Sequence, residues 1–516
     1  MEMLQTVPYS GWPRGLYSVD ESMVAPADSL LRADNVMIGV RGAIKTRPGI
    51  LAYGNYMPDH INGIYCNSSM YLSTNDKKLI RQVATVVLKT YTNGGRGQFT
   101  KFKDKYCHSN GLDVMQVWTD VDATTSDAFG SPPLSRILEI HNDRVFAATG
   151  TTLYETAPGQ APDASVDYWA TGASWAINAG SGKPIMAVKS LGRQGLFIFT
   201  RDEIWLQSGY TKQERQTRLF SKVTGCIAPD SLQVLKLVGH GDCIVFLGSN
   251  KKLYAVNLSG IMEIGDSVQA ELDEIYEGNP ADDTTPVNEV KHRVVSACHP
   301  DGFYLLGYAR DNVATEVAWD RCLCLHTDRQ TGEGGLWPFT MWRQTALTGE
   351  FPITFAAMAG VYDTARRSIM IGQKQVDAEY QPFMVRTDYE YDSDPYTVAG
   401  SKNYYIPWWL KTIDDNFGDD LTRKAFHQLV THSSKTVAGD LSFWFSQTVD
   451  TDIAQIADQR FTVTPATADK VYRTTVALEN TGTRISITLK THPDRLVSYG
   501  YLLLGMEIRY FPAGLP

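Results

Sequence analysis

After Ile50 the chain settles into a recurring pattern: an apolar stretch, a polar turn, a second apolar stretch, another turn, and a third stretch that often ends aromatic. The cleanest copy runs from Arg136 to Thr156 as RILEIH, a turn at Asn142-Asp143, RVFAAT and TLYET. Pro184 to Ser208 repeats it with PIMAVKSL, GLFIFT and EIWLQS. RVFAAT and GLFIFT are almost continuously apolar, as strands covered on both faces must be. Further copies span Ile61 to Thr92, Gln98 to Trp118, Leu232 to Ile264, His292 to Trp342 and Ile353 to Tyr391. The copies share a pattern and not residue identity. Units of about 30 to 50 residues, each a few antiparallel strands that cannot bury both faces alone, are what β-propeller blades look like in sequence. Six or seven blades are expected. A β-solenoid or a chain of sandwiches is also built from such strands, but separate sandwiches need linkers, and none divides the units.

Two polar stretches interrupt this rhythm and read as long surface loops, Val121 to Pro133 and Leu272 to Asn288. Glu271, Asp273, Glu274, Glu277, Asp282 and Asp283 gather in and beside the second, a charge run whose ordinary meaning is a solvated excursion. Near Ser393 the pattern changes to longer strands with strict alternation, as in Leu441, Phe443, Phe445 and in Ile485, Ile487, Leu489. One face of each is then buried and the other wet, which describes a C-terminal β-sandwich. Hairpin turns are expected at Ala438-Gly439 and at Asn480-Thr481-Gly482.

The stretch before the repeats, Gly15 to Ile50, reads as a helix followed by a hairpin. Pro26 suits a first helical position, Asp28 and Arg32 complement the helix dipole, and Asn35 suits a left-handed stop. Val36 to Gly39 and Ala43 to Arg47 then make two short strands around Arg41-Gly42, and Pro48-Gly49 ends the second. The order of Gly15, Leu30, Ala33, Asn35, Gly42, Arg47, Pro48 and Gly49 resembles the N-terminus of tail nozzle proteins of short-tailed phages. These are also called tail tubular or packaged-DNA-stabilisation proteins. The terminal LLLGMEIRYFPAG similarly resembles the last strand of phage tail β-sandwiches. The expected fold is all-β: an N-terminal helix-hairpin segment over 1–50, a propeller over 51–395 and a sandwich over 396–516.

Composition narrows the functions. A chain of 516 residues exceeds one ordinary core, and a formal charge of -9 argues against a sequence-independent grip on phosphate. The richest basic run, Arg96 to Lys105, is expected to place Lys101, Lys103 and Lys105 along one solvated strand face. Seven cysteines without a CxxC pair do not form a secreted disulfide framework and suit synthesis in a reducing cytoplasm. No apolar run reaches the ~18 residues of a membrane span.

Reactive constellations are scarce. The ten histidines include no HExxH and no GxSxG elbow is present. Gly180-Ser181-Gly182-Lys183 ends like a phosphate loop, but Ile177 replaces its first glycine and Pro184 its magnesium-binding hydroxyl. Asp388, Glu390, Asp392 and Asp394 alternate along one strand, and Asp414, Asp415, Asp419 and Asp420 cluster around Asn416-Phe417-Gly418; either set has the oxygen ligands calcium takes, but the Asp388 series lacks the glycine and terminal glutamate of a calcium loop, and a solvated edge is the expected reading of both. No cofactor, metal or enzymatic activity is expected.

The resemblance implies a structural virion protein: a hexameric ring forming the tail nozzle around the DNA-exit channel, which helps retain packaged DNA and attach tail fibres. Its implied place is the virion tail, after synthesis in the host cytoplasm. Its implied partners are copies of itself, a portal-adaptor protein, a tail fibre or spike, a plug or needle protein, and passing double-stranded DNA without specific binding. An acidic or neutral wall lets a duplex slide, whereas lysine and arginine would hold it. Glu271, Asp273, Glu274, Glu277, Asp282 and Asp283 form the candidate channel loop. The alternative is a propeller-bearing carbohydrate-binding or depolymerase protein, in which Trp337, Trp342, Trp408 and Trp409 would stack on sugars.

Overall fold

Asn142 and Asp143 both adopt positive φ, 46° and 58°, which is what a two-residue hairpin turn demands. They close the pair Ile137–His141 and Arg144–Thr149 with His141 opposite Arg144. Thr152–Glu155 and Ala173–Ala176 complete an antiparallel sheet of four, and the middle strand Arg144–Thr149 is buried through its first five residues. This unit is repeated. The computed structural model describes most of residues 4–275 and, from 294 to 512, chiefly the strands. The described residues form six separate four-stranded antiparallel sheets, and a seventh set of four antiparallel strands begins a ten-stranded sheet.

The first strands of these seven sets are Ile61–Cys66, Gln98–Phe102, Ile137–His141, Ile185–Ser190, Gln233–Leu237, Val294–His299 and Ala357–Gly360. All seven contribute residues to the wall of one cavity. The protein is therefore all-β with a propeller-like arrangement of sheets. Between neighbouring sheets lie separate apolar clusters, such as Phe197, Phe199, Ile244 and Phe246, which is why the middle strands read as continuously apolar.

Three details of the units depart from expectation. Gln98–Phe102 and Lys105–Ser109 are two strands joined at Lys103-Asp104, with φ 58° at Lys103, so Lys101, Lys103 and Lys105 do not share a strand face. The expected loop after Val121 supplies Ser126–Asp127, the fourth strand of its sheet. The fourth strand of the last sheet is Ile50–Ala52, which pairs with Phe383–Arg386 and so closes the series with a strand from the other end of the chain.

The N-terminal segment differs most. Ser29–Asp34 is a strand, not a helix. Six residues are too few for a stable isolated helix, and here both edges of the segment find partners. Leu30 to Asp34 pairs antiparallel with Trp409–Thr412, and Gly15–Leu16 and Asp34 pair in parallel with Phe339–Arg343. The result is continuous: the four strands from Val294 to Arg343 run through Gly15–Leu16 and Ser29–Asp34 into Trp409–Thr412, Ile485–Thr491, Leu441–Val449 and Gln459–Val463. The expected hairpin is present, with Val36–Ile38 paired to Ile44–Thr46. It joins a second sheet with Tyr501–Pro512, Lys424–Lys435, Tyr472–Gly482 and Gln5–Tyr9.

These two sheets share a core in which Leu410, Ile485, Ile487 and Leu489 from one meet Leu429, Val476, Leu503 and Ile508 from the other. The expected hairpin between Tyr472–Gly482 and Ile485–Thr491 is absent, because the two strands belong to different sheets and the chain crosses between them at Thr483-Arg484. The turn expected at Ala438-Gly439 lies outside the described residues.

Candidate functional site

Among the described residues, polar side chains held in fixed geometry gather at the junction made by the N-terminal segment and in the cavity at the centre of the seven sets, as well as in smaller clusters between sheets.

The junction is built around Asn35. Its φ of 55° turns the chain from the bridging strand Ser29–Asp34 into the hairpin. Its amide N–H donates to the Met341 carbonyl at 2.6 Å, and its own carbonyl accepts from the Arg47 amide at 3.0 Å. Its side-chain Oδ1 accepts twice, from Arg47 Nε at 3.0 Å and from the Arg343 amide at 2.9 Å. Arg47 is fully buried, its guanidinium 5.6 Å from the centre of the Trp342 ring, and it also donates to the Pro48 carbonyl. Leu30 and Ala33 are buried on the bridging strand. Gly15 has φ 68°, and a Cβ there would collide with the Phe339 carbonyl oxygen of the neighbouring parallel strand. Gly42 has φ 79°, and a Cβ would lie 2.6 Å from the backbone nitrogens of Trp12 and Pro13. Of the eight residues that carry the phage-tail resemblance, seven are thus placed here; Gly49 lies outside the described residues.

A chain of charges extends the junction to the acidic stretch. Asp34 accepts from Arg32 Nε at 2.5 Å and from Arg343 Nε at 2.9 Å. Burial pushes its carboxyl above the ordinary range, and the guanidiniums of Arg343 and Arg32 oppose this without cancelling it. Arg343 also lies 3.6 Å from Glu271, which accepts from Arg321 at 2.6 Å and from the Tyr308 hydroxyl at 3.1 Å. Burial and the Glu271 charge raise Tyr308, so its phenol stays a donor. Arg321 reaches Glu274 as well, at 2.5 Å.

The expected channel loop is accordingly corrected at its start. Gln269–Asp273 is a short helix docked through Val268, Leu272 and Ile275, and Glu271 points inward to balance two arginines of the ten-stranded sheet. Asp273 accepts from Gln269 at 2.8 Å and stays exposed, as does half of the Glu274 side chain. Glu277, Asp282 and Asp283 lie outside the described residues. Sequence spacing held one signal for the bridging strand: an Arg32-Asp34 pair at i, i+2 meets on a strand and not on a helix.

The central cavity measures about 330 Å³. Its wall carries Arg96, Lys101, Glu139, Lys189 and Asp230. Lys189 donates to Glu139 at 3.3 Å, and the Ser190 amide donates to the same carboxylate at 3.2 Å. Burial raises Glu139 despite these partners. Arg96 Nε lies 3.5 Å from Asp230, and Arg136 pairs with the same carboxylate oxygen. The basic run Arg96 to Lys105, expected on a solvated face, supplies Arg96 and Lys101 to this wall; Glu139, Lys189 and Asp230 lie far from it and from one another along the chain, and no short motif joins them.

Of the tryptophans considered for sugar stacking, the three among the described residues are engaged by the fold. Trp337 and Trp342 are buried, Trp409 lies under the Arg32 guanidinium at 3.5 Å, and Trp408 is outside the described residues. The side chains of the Asp388 and Asp414 series are also outside them. Among the described residues no three His, Cys, Asp or Glu side chains converge as metal ligands, and no helix is long and apolar enough to cross a membrane.

No protein-family model and no curated protein matches the sequence. Among solved structures, BamB from Moraxella catarrhalis is similar with a TM-score of 0.37 at 10% identity, over 68% of this chain and 93% of that one. The computationally designed Ika8 protein gives 0.32 at 9% identity, over 64% and 99%. An exo-beta-1,3-galactanase from Phanerochaete chrysosporium gives 0.25 at 8% identity, over 82% and 99%. Likeness at this level says nothing of what the chain binds or does.

Proposed function

We propose that this chain is a structural subunit of a short-tailed phage virion, a seven-bladed propeller joined to a β-sandwich, which assembles into a ring around the DNA-exit channel. The observation that carries this reading is the use made of the motif residues. Gly15, Leu30, Ala33, Asn35, Gly42 and Arg47 serve to weave one N-terminal segment between the strands of Val294–Arg343 and the two facing C-terminal sheets. Their role is mechanical, since backbone bonds, buried ion pairs and close backbone approach tie distant parts of the chain into one sheet. That suits a subunit that must transmit force without hinging. The blade count rests on the seven first strands around one cavity.

The net charge of -9 supports a wall along which a duplex slides. On this reading the subunit sits in the virion, with a portal-adaptor protein, a tail fibre or spike and a plug or needle protein as neighbours. Electron microscopy of the purified protein, alone and with its adaptor, tests it together with a filter-binding assay on linear duplex. Rings of six and no retention of DNA above background are expected. A permanent dimer, or strong salt-sensitive DNA binding by the unaltered protein, would overturn the reading.

A further inference from the structure

Five apolar side chains lie exposed on the second and third sets: Leu112, Val114, Phe129, Leu134 and Val166. Backbone contacts place them together. The Ala128 amide donates to the Met115 carbonyl at 2.8 Å, and because Met115 and Ala128 face inward, their neighbours Val114 and Phe129 face outward. A Cβ at Gly111 would meet Ser135 and Arg136, which sets Leu112 beside Leu134. A Cβ at Gly130 would overlap the Asp167 side chain, which sets Phe129 beside Val166. Single exposed apolar residues are ordinary, whereas a contiguous group marks a contact surface. Two carboxylates flank this one. Asp113 accepts from the Asn93 and Gly94 amides and the Asn110 side chain, and Asp167 from the Ser131, Trp169 and Ala170 amides. Neither has a cation at ion-pair distance among the described residues. Lys77, which lies over Gly94, donates to the Thr92 carbonyl, and Lys89 and Lys105 are paired with Asp127 and Asp163.

A counterpart protrudes from the fourth set. Its outermost strand, Gln216–Ser221, runs into Lys222-Val223, and Val223 is 73% exposed, so nothing in its own chain covers it. Gly225 then packs against the backbone of Arg201, which brings the turn that carries Arg201 beside this corner. Arg201 and Lys222 are exposed and make no hydrogen bond or ion pair among the described residues, while Asp202 is paired with Lys183 at 3.3 Å. An apolar tip beside two unpaired cations complements an apolar surface flanked by two carboxylates that no cation neutralises.

We propose that the surface formed by Leu112, Val114, Phe129, Leu134 and Val166 receives the Lys222-Val223 corner of a second copy of this chain. The contact uses a different surface on each copy, so it repeats head to tail and builds a ring where the rotation closes. It rests on the ring proposed above and names the surfaces that build it.

Sedimentation velocity and electron microscopy of the full chain, alone and with its adaptor, test the assignment with Phe129→Asp and Val223→Asp. Both positions are exposed, so the melting temperature should stay near that of the parent. Each variant alone should self-associate at least about tenfold more weakly, since a charge replaces an apolar group at the centre of the contact. An equimolar mixture of the two should form a species of two copies and stop there, because each variant keeps the surface that the other has lost. Lys222→Glu should also weaken association, and by less at high salt. Rings formed by either Asp variant as readily as by the parent, or a mixture that stays monomeric, would overturn this contact and leave the ring itself untouched. A parent that forms no ring, alone or with its adaptor, would overturn both.

Discussion

Asn35 is the residue whose replacement reports most directly on the junction. Asn35→Gly keeps the positive φ and removes Oδ1, which takes an acceptor from Arg47 Nε and from the Arg343 amide. Each of the two buried donors deprived of its acceptor costs about 1 to 3 kcal/mol, so the local loss should be roughly 2 to 6 kcal/mol. Asn35→Ala removes the same acceptor and forces a Cβ into the left-handed region, adding about 1 kcal/mol. Asn35→Asp keeps the acceptor and should cost least. Global melting reports on the whole chain and not on the junction alone. Hydrogen exchange at the amides of Asn35, Arg47 and Arg343 reads the opening of the junction itself. A loss of about 3 kcal/mol would speed exchange there more than a hundredfold, with protection in Ile185–Ser190 and Leu196–Thr200 unchanged. If the Gly and Ala variants both exchanged as the parent does, the hydrogen bonds to Oδ1 would hold nothing together. If Gly were much worse than Ala, the conformational part of the argument would be wrong.

Two further outcomes follow from the buried charges. Burial holds His108 and His326 down to about 3, below the ordinary histidine value near 6.5. As pH falls the unfolded chain takes up these protons first, so stability falls from about pH 6.5 downward; at pH 5.5 each histidine should cost about 1.4 kcal/mol. Urea titrations at pH 7.5 and 5.5 should show the loss, and His326→Gln should remove its share; a midpoint that does not move would contradict the burial of these rings. At the acidic stretch, Glu271→Lys sets a third cation beside Arg321 and Arg343 and should cost about 3 kcal/mol or more. Glu274→Lys, at a half-exposed position, should cost about 1 kcal/mol or less, and equal losses at the two sites by thermal denaturation would show that Glu271 is not buried as described.

Local chemistry alone determined the rhythm of strands, turns such as Asn142-Asp143, and the positive φ at Asn35 and Gly42. A turn is decided by the few residues that form it, and a strand buried on both faces announces itself by being apolar throughout. The motif that carries the resemblance was legible as a pattern for the same reason, though what it does was not. Leu30, Ala33 and Asn35 suit a short helix or a strand equally well. Phe339–Arg343 and Trp409–Thr412, some three hundred residues away or more, settled the matter by offering two open edges. Tertiary structure likewise decided that Ile50–Ala52 completes the last sheet and that Thr483-Arg484 crosses between sheets rather than turning a hairpin. The same holds for Glu271, which faces two arginines and not solvent. Strand partners and charge partners are chosen across the whole chain, and a six-residue segment carries no record of which edge or which guanidinium it will meet.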